Sequence, residues 1–109
     1  DLQNYKPTYL PDGAELKNTV EQPEMLAYEY AINESSYFNI LLSQSDTRIY
    51  ADAENTEIES FDKGGVIGYY FKKDDLNYIC YERDGDFFSI YGSIDMDELI
   101  KIAAGITTE

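Results

Sequence analysis

Asp84-Gly85 stands between two runs rich in aromatic and β-branched residues, LNYICYER before it and DFFSIYG after it. A two-residue hairpin loop of type I′ needs positive φ at both positions, which Asp-Gly accepts and most dipeptides do not. With that loop in place, the register follows by counting. Arg83 faces Asp86, Glu82 faces Phe87, Tyr81 faces Phe88, Cys80 faces Ser89, Ile79 faces Ile90 and Tyr78 faces Tyr91. Because side chains alternate across a strand, Tyr81, Phe88, Ile79 and Ile90 share one face, the expected core side. Tyr78, Tyr91, Phe87 and Cys80 share the other. The chain then runs into Ile94-Asp95-Met96-Asp97-Glu98, the spacing of a helix N-cap with an acceptor at N3. Ile94 and Leu99 fit a hydrophobic staple. Leu99, Ile102, Ala103 and Ile106 recur at i, i+3, i+4 and i+7 and predict a helix on the Ile79/Ile90 face, with Gly105 as its stop.

The rest of the chain supplies strands for the same sheet. Residues 1–13, DLQNYKPTYLPDG, carry two of the three prolines and end in a turn signal, which predicts an extended lead-in with Tyr9 and Leu10 laid on the body. Residues 14–109 form one domain. Ala14–Val20 is a short, charged strand suited to an edge. Met25–Ile32 and Tyr37–Gln44 form a hairpin across the polar connector Asn33-Glu34-Ser35-Ser36, with Leu26, Tyr28, Tyr30 and Ile32 on one face and Phe38, Ile40 and Leu42 on their partner's. Residues 45–55 show no sustained period and read as a loop, with Ile49 and Tyr50 as possible anchors. A weak strand at Thr56–Phe61 leads to the turn Asp62-Lys63-Gly64-Gly65. Val66–Lys72 follows as a strand whose Gly68 marks a bulge or a close approach, and Lys73-Asp74-Asp75 turns into the last hairpin. The expected architecture is α+β: one antiparallel, mainly meander sheet of about six to seven strands, with a C-terminal helix on one face.

Composition narrows the function. With 22 acidic against 8 basic residues the net charge is −14, so phosphate backbones are repelled and nucleic acid is excluded as a partner. The charge reads first as solubility, with a cationic partner or divalent ions as the alternative. The chain contains no histidine and one cysteine, which removes Ser-His-Asp and Cys-His catalysis, histidine metal sites and thiolate zinc sites. Cys80 reads as a small buried hydrophobe. No phosphate-binding glycine loop occurs, because Gly64-Gly65-Val66-Ile67-Gly68 lacks the Lys-Ser/Thr that follows one. Asp46, Asp52, Glu54 and Asn55 offer oxygen ligands for calcium, but without EF-hand spacing they read as a solvated loop. No apolar run is long enough to span a membrane. The chain starts at Asp1 without Met, and a leader or anchor is expected to have preceded it.

Three pieces in order resemble the bacterial DUF4367 family. TYLPDGAEL looks like its opening Leu-Pro-x-Gly segment. GYYFKK with LNYICYERDGDFFSIYG looks like its central hairpin, and SIDMDELIKIAAGI like its closing helix. Residues 45–60 match loosely, and Tyr81 stands where the family often carries Trp. The resemblance implies an extracytoplasmic α+β domain, cell-surface or membrane-anchored, mostly in Gram-positive bacteria and sometimes in anti-sigma-factor-like architectures. It implies no activity and carries over no catalytic residue.

Function is therefore expected to lie in binding. The expected candidate surface is the aromatic face of the sheet, Tyr69, Tyr78, Phe87 and Tyr91, fitted to another protein, a peptide or a glycan. The plainer expectation for that face is cover by the lead-in or by residues 45–55, since large open apolar patches are uncommon on monomers. No cofactor or metal is expected, and membrane contact only through the anchor. The first reading is a non-enzymatic interaction or sensor domain. A carrier of a hydrophobic ligand, with a cavity between sheet and helix, is the alternative; a carboxylate-based hydrolase comes third.

Overall fold

The computed structural model describes residues 5–44 and 56–108 of the chain. The expected loop at 45–55, its anchors Ile49 and Tyr50, and the oxygen set of Asp46, Asp52, Glu54 and Asn55 lie outside the described residues. In chain order the elements are β1 (Tyr5–Pro7), β2 (Glu15–Gln22), β3 (Met25–Ala31), β4 (Tyr37–Ser43), β5 (Glu59–Lys63), β6 (Val66–Lys73), β7 (Leu76–Arg83), β8 (Asp86–Gly92), α1 (Met96–Ala104) and β9 (Ile106–Thr108).

Seven strands make one antiparallel sheet in the order β2-β3-β4-β8-β7-β6-β5, and β1 pairs with β9 in a small second sheet. The large sheet is two meanders joined where β4 meets β8, with Ile40 opposite Ile90 and Leu42 opposite Phe88. The β7–β8 register is the one expected from the Asp84-Gly85 loop at every pair from Tyr78–Tyr91 to Arg83–Asp86. Its loop residues have φ of 52° and 85°, and Gly64-Gly65 and Asp74-Asp75 are likewise positive at both positions. Three successive two-residue loops of one hand therefore wind β5 to β8, since that backbone twist matches the twist of the strands. The loops are shorter than the turn-rich sequences suggested, so β5 continues to Lys63 and β6 to Lys73. β5 begins at Glu59, three residues later than expected.

Both sheet edges carry charge. β2 is exposed over most of its length and shifts register between Leu16 and Asn18, so an irregularity and Lys17 interrupt the free edge, a common guard against edge pairing. On β6, Gly68 is a close approach: a Cβ there would lie 2.3 Å from the Cys80 carbonyl oxygen and 2.9 Å from the Tyr81 Cβ.

The helix caps as expected. The Asp95 carboxylate accepts from the Glu98 N–H at 3.0 Å, and Asp97 and Glu98 occupy the positive first turn. Gly105 ends the helix with right-handed φ of −90°, so its lack of a side chain serves space and not a left-handed cap. A Cβ there would meet Thr8 Oγ1 and the Tyr9 nitrogen at 3.0 Å. The lead-in is strapped on at that point: the Thr8 N–H donates to the Gly105 carbonyl at 2.9 Å, and the Tyr9 hydroxyl to the Glu98 carboxylate at 2.9 Å. The approach to the helix is held by Asn77, whose amide donates to the Ile94 carbonyl and whose oxygen accepts from the Tyr70 hydroxyl, both at 2.9 Å.

The main core lies between the sheet and the helix. Leu99, Ile102 and Ala103 of α1 pack with Ile79, Tyr81, Phe88 and Ile90 of the central hairpin, and Phe38, Ile40 and Leu42 extend the layer along β4. Tyr5 of the lead-in belongs to the same core. Its ring meets Phe88 edge-on at 4.9 Å, and its hydroxyl donates to the buried Asp86 carboxylate at 3.0 Å.

Candidate interaction site

The four aromatic residues named as the candidate surface have separate environments. Tyr78 is only 7% exposed, sandwiched between Phe71 at 4.6 Å and Tyr91 at 4.8 Å with nearly parallel rings. The register explains the stack: Phe71, Tyr78 and Tyr91 are directly opposite one another on β6, β7 and β8, where cross-strand ring pairs come within contact. Phe87 and Tyr91 are half-buried and pack with Phe71, Tyr78 and Cys80 in a second, smaller core. Tyr69 alone of the four is open, at 48% exposure. The second face is thus packed over its centre, and its open part lies toward the β5 edge.

Two residues there were not singled out from the sequence. Ile67, opposite Asp62 on β5, is 71% exposed, and Ile58 just before β5 is 48% exposed. Ile67 has the same parity on β6 as Tyr69, and that alternation is the signal that could have found it.

Ile67 also stands at the rim of a groove of about 580 Å³ between the Gly64-Gly65 turn and the last turn of α1. An exposed ion pair of Lys63 with Asp97 at 2.7 Å links the turn to α1, and the Lys63 hydrogen bond holds the Asp97 carboxyl below its usual range. A Cβ on Gly64 would already touch Ile100 at 3.4 Å. Between the walls lie Tyr81 and Arg83 of β7. The Arg83 guanidinium donates to the Ile106 carbonyl and sits 5.6 Å over the Tyr5 ring, a cation–π contact. Tyr81 stacks on Phe88 at 4.8 Å and is 5% exposed, and its hydroxyl has no hydrogen-bond partner among the described residues. Burial drives the Tyr81 phenol well above its usual range; burial and then the Asp86 hydrogen bond push Tyr5 up to about 12. Both phenols are therefore neutral donors at ordinary pH.

Between sheet and helix, Ile79, Phe88, Ile90, Leu99 and Ile102 have no accessible surface, which leaves no water-sized space against them for a bound lipid.

No curated protein matches the sequence. Among solved structures the fold is similar to MucB in its complex with MucA(peri), with a TM-score of 0.63, 10% identity and coverage of 100% of this chain and 38% of that one. It is also similar to a chain of the MucA/MucB complex of Pseudomonas aeruginosa, with a TM-score of 0.55, 12% identity and coverage of 96% of this chain and 35% of that one. The chain thus spans little more than a third of either neighbour, and at such identities the likeness is one of fold. The family model described as a domain of unknown function, DUF4367, matches residues 4–106, covering all but the ends of the chain, and the chain belongs to that family.

Proposed function

We propose that this chain is a non-enzymatic, extracytoplasmic interaction or sensor domain whose ligand is another protein. The observation that carries this reading is the apolar pair left open beside the β5 edge, Ile67 and Tyr69, while Val66, Phe71, Tyr78 and Ile79 around them are buried. Large apolar side chains grouped on a surface favour protein contact, and an isoleucine beside a tyrosine has the character of an interface centre. The neighbouring MucB fold, crystallised in complex with MucA(peri), is in keeping with a protein partner. The family resemblance supports a place outside the cytoplasm. The absence of histidine supports binding over acid–base chemistry, and the filled layer between sheet and helix speaks against the carrier alternative.

The test is photo-cross-linking in the cell that makes the protein. A photoreactive residue at position 67 or 69 is expected to give a discrete adduct with one partner, and one at Glu21 on the opposite edge to give none. The same adducts from all three positions, or no adduct from 67 and 69, would remove this reading.

A further inference from the structure

The two edges of the large sheet differ in regularity. At the β2 edge the register breaks between Leu16 and Asn18, whereas β5 pairs with β6 without interruption from Glu59–Tyr70 to Lys63–Val66. β5 ends the sheet order, and its Glu59, Ser60, Asp62 and Lys63 are exposed. Such an edge is a template for a further strand. Lys63 and Val66 flank the two-residue loop Gly64-Gly65, and that flanking pair exchanges both of its main-chain hydrogen bonds across the hairpin. Alternation then turns the N–H and C=O groups of Glu59, Phe61 and Lys63 toward β6, and those of Ser60 and Asp62 outward.

The sequence of β5, Glu-Ser-Phe-Asp-Lys, is complementary to itself. Laid antiparallel on a second copy with Phe61 opposite Phe61, it sets Ser60 opposite Asp62. The two outward-facing residues then exchange main-chain hydrogen bonds, twice over by symmetry. Glu59 faces Lys63 of the other copy, again twice, in the non-hydrogen-bonded positions where side chains come closest. The half-buried Phe61 rings meet on the axis. No like charges stand directly opposite, since Asp62 faces Ser60. Glu59 holds no ion pair among the described residues, and the Lys63 ammonium, exposed beside Asp97, has donors for a second carboxylate. We propose that β5 is a self-pairing edge through which two copies of this chain join their large sheets about a two-fold axis. The pairing uses the strand edge and leaves the face of Ile67 and Tyr69 open, so it goes beyond the partner reading above. One short strand buries little area and each chain carries a net charge of −14, so the dimer is weak and fills at high concentration.

The test is sedimentation equilibrium of the full chain at physiological salt, over a concentration series reaching the millimolar range. The wild type is expected to show a reversible monomer–dimer equilibrium. Glu59→Lys sets Lys against Lys at both ion-pair positions, and Lys63→Glu sets Glu against Glu. Each variant alone is expected to dimerise about tenfold more weakly. An equimolar mixture of the two pairs Lys with Glu at both positions and is expected to regain the wild-type affinity. Ser60→Pro removes an outward N–H, which an edge strand tolerates, and is expected to abolish the dimer with Tm unchanged. A wild type that stays monomeric throughout would overturn the proposal and leave the edge to a different partner. A mixture that associates no better than either variant, or a Ser60→Pro chain that dimerises like the wild type, would overturn it as well. Should Ser60→Pro lose stability, the mixture alone decides.

Discussion

The two faces of the large sheet bury their apolar residues by different means. On the helix side, Phe88 is enclosed by rings from β1 and β7 and shares its core with α1, so pieces from both ends of the chain must arrive together. On the other side, Tyr78 stacks between its own sheet neighbours, Phe71 and Tyr91. The first face is a tertiary core assembled from distant segments; the second carries a cross-strand stack whose register the hairpins set. Tyr69 and Ile67 are the exposed apolar residues of that second face on β6.

Phe88→Ala tests the first face most severely, with an expected loss of about 3–5 kcal/mol in denaturant unfolding. Tyr78→Ser tests whether the second face is a real core, and about 3 kcal/mol is expected by the same large-to-small logic. A loss near zero there would make the second face an open surface and erase the contrast. The helix-side tyrosines add a pH signature. Tyr5 holds its proton more tightly folded than unfolded, so its contribution is complete below the ordinary phenol value of about 10 and falls as pH rises through about 12; burial shifts the Tyr81 phenol in the same direction. Tyrosinate absorbance should therefore rise late for these two and together with unfolding, and in Tyr5→Phe the fall in stability above that pH should be shallower. Asp95→Ala removes the helix cap and should cost about 1 kcal/mol, enough to register in Tm without loosening the second face. Tyr69→Ser marks the lower end, within about 0.5 kcal/mol; a larger loss would mean that the open end of the stack is packed as well.

Local features were the legible ones. The Asp84-Gly85 loop carries its own geometry, so register and face assignment for β7 and β8 could be read by counting, and the Asp95 cap and Leu99/Ile102/Ala103 stripe located the helix in the same way. The resemblance carried by those segments is borne out by the family match. What resisted reading was long-range. Nothing near Tyr5 announces that it closes on Asp86, 81 positions away, and three-residue strands such as β1 and β9 have too few residues for a period to show. Tyr81 was readable as core, but nothing in its own stretch announces that its hydroxyl is buried without a partner among the described residues. Tyr78 was misleading for a related reason: a tyrosine serves a stack as well as a surface, and only its neighbours decide which.

The pairing of β1 with β9 has a mechanical consequence. Tyr5 lies opposite Thr108 and Pro7 opposite Ile106, so the chain enters and leaves the domain side by side. Tension applied through both ends would load these contacts one after another, as in a zipper, and not all at once in shear. The first core residue to be drawn out would be Tyr5, taking with it the ring against Phe88 and the bond to Asp86 while the seven-stranded sheet stayed whole. Held by its two ends, the domain would yield first at the strap, in a small and reversible step.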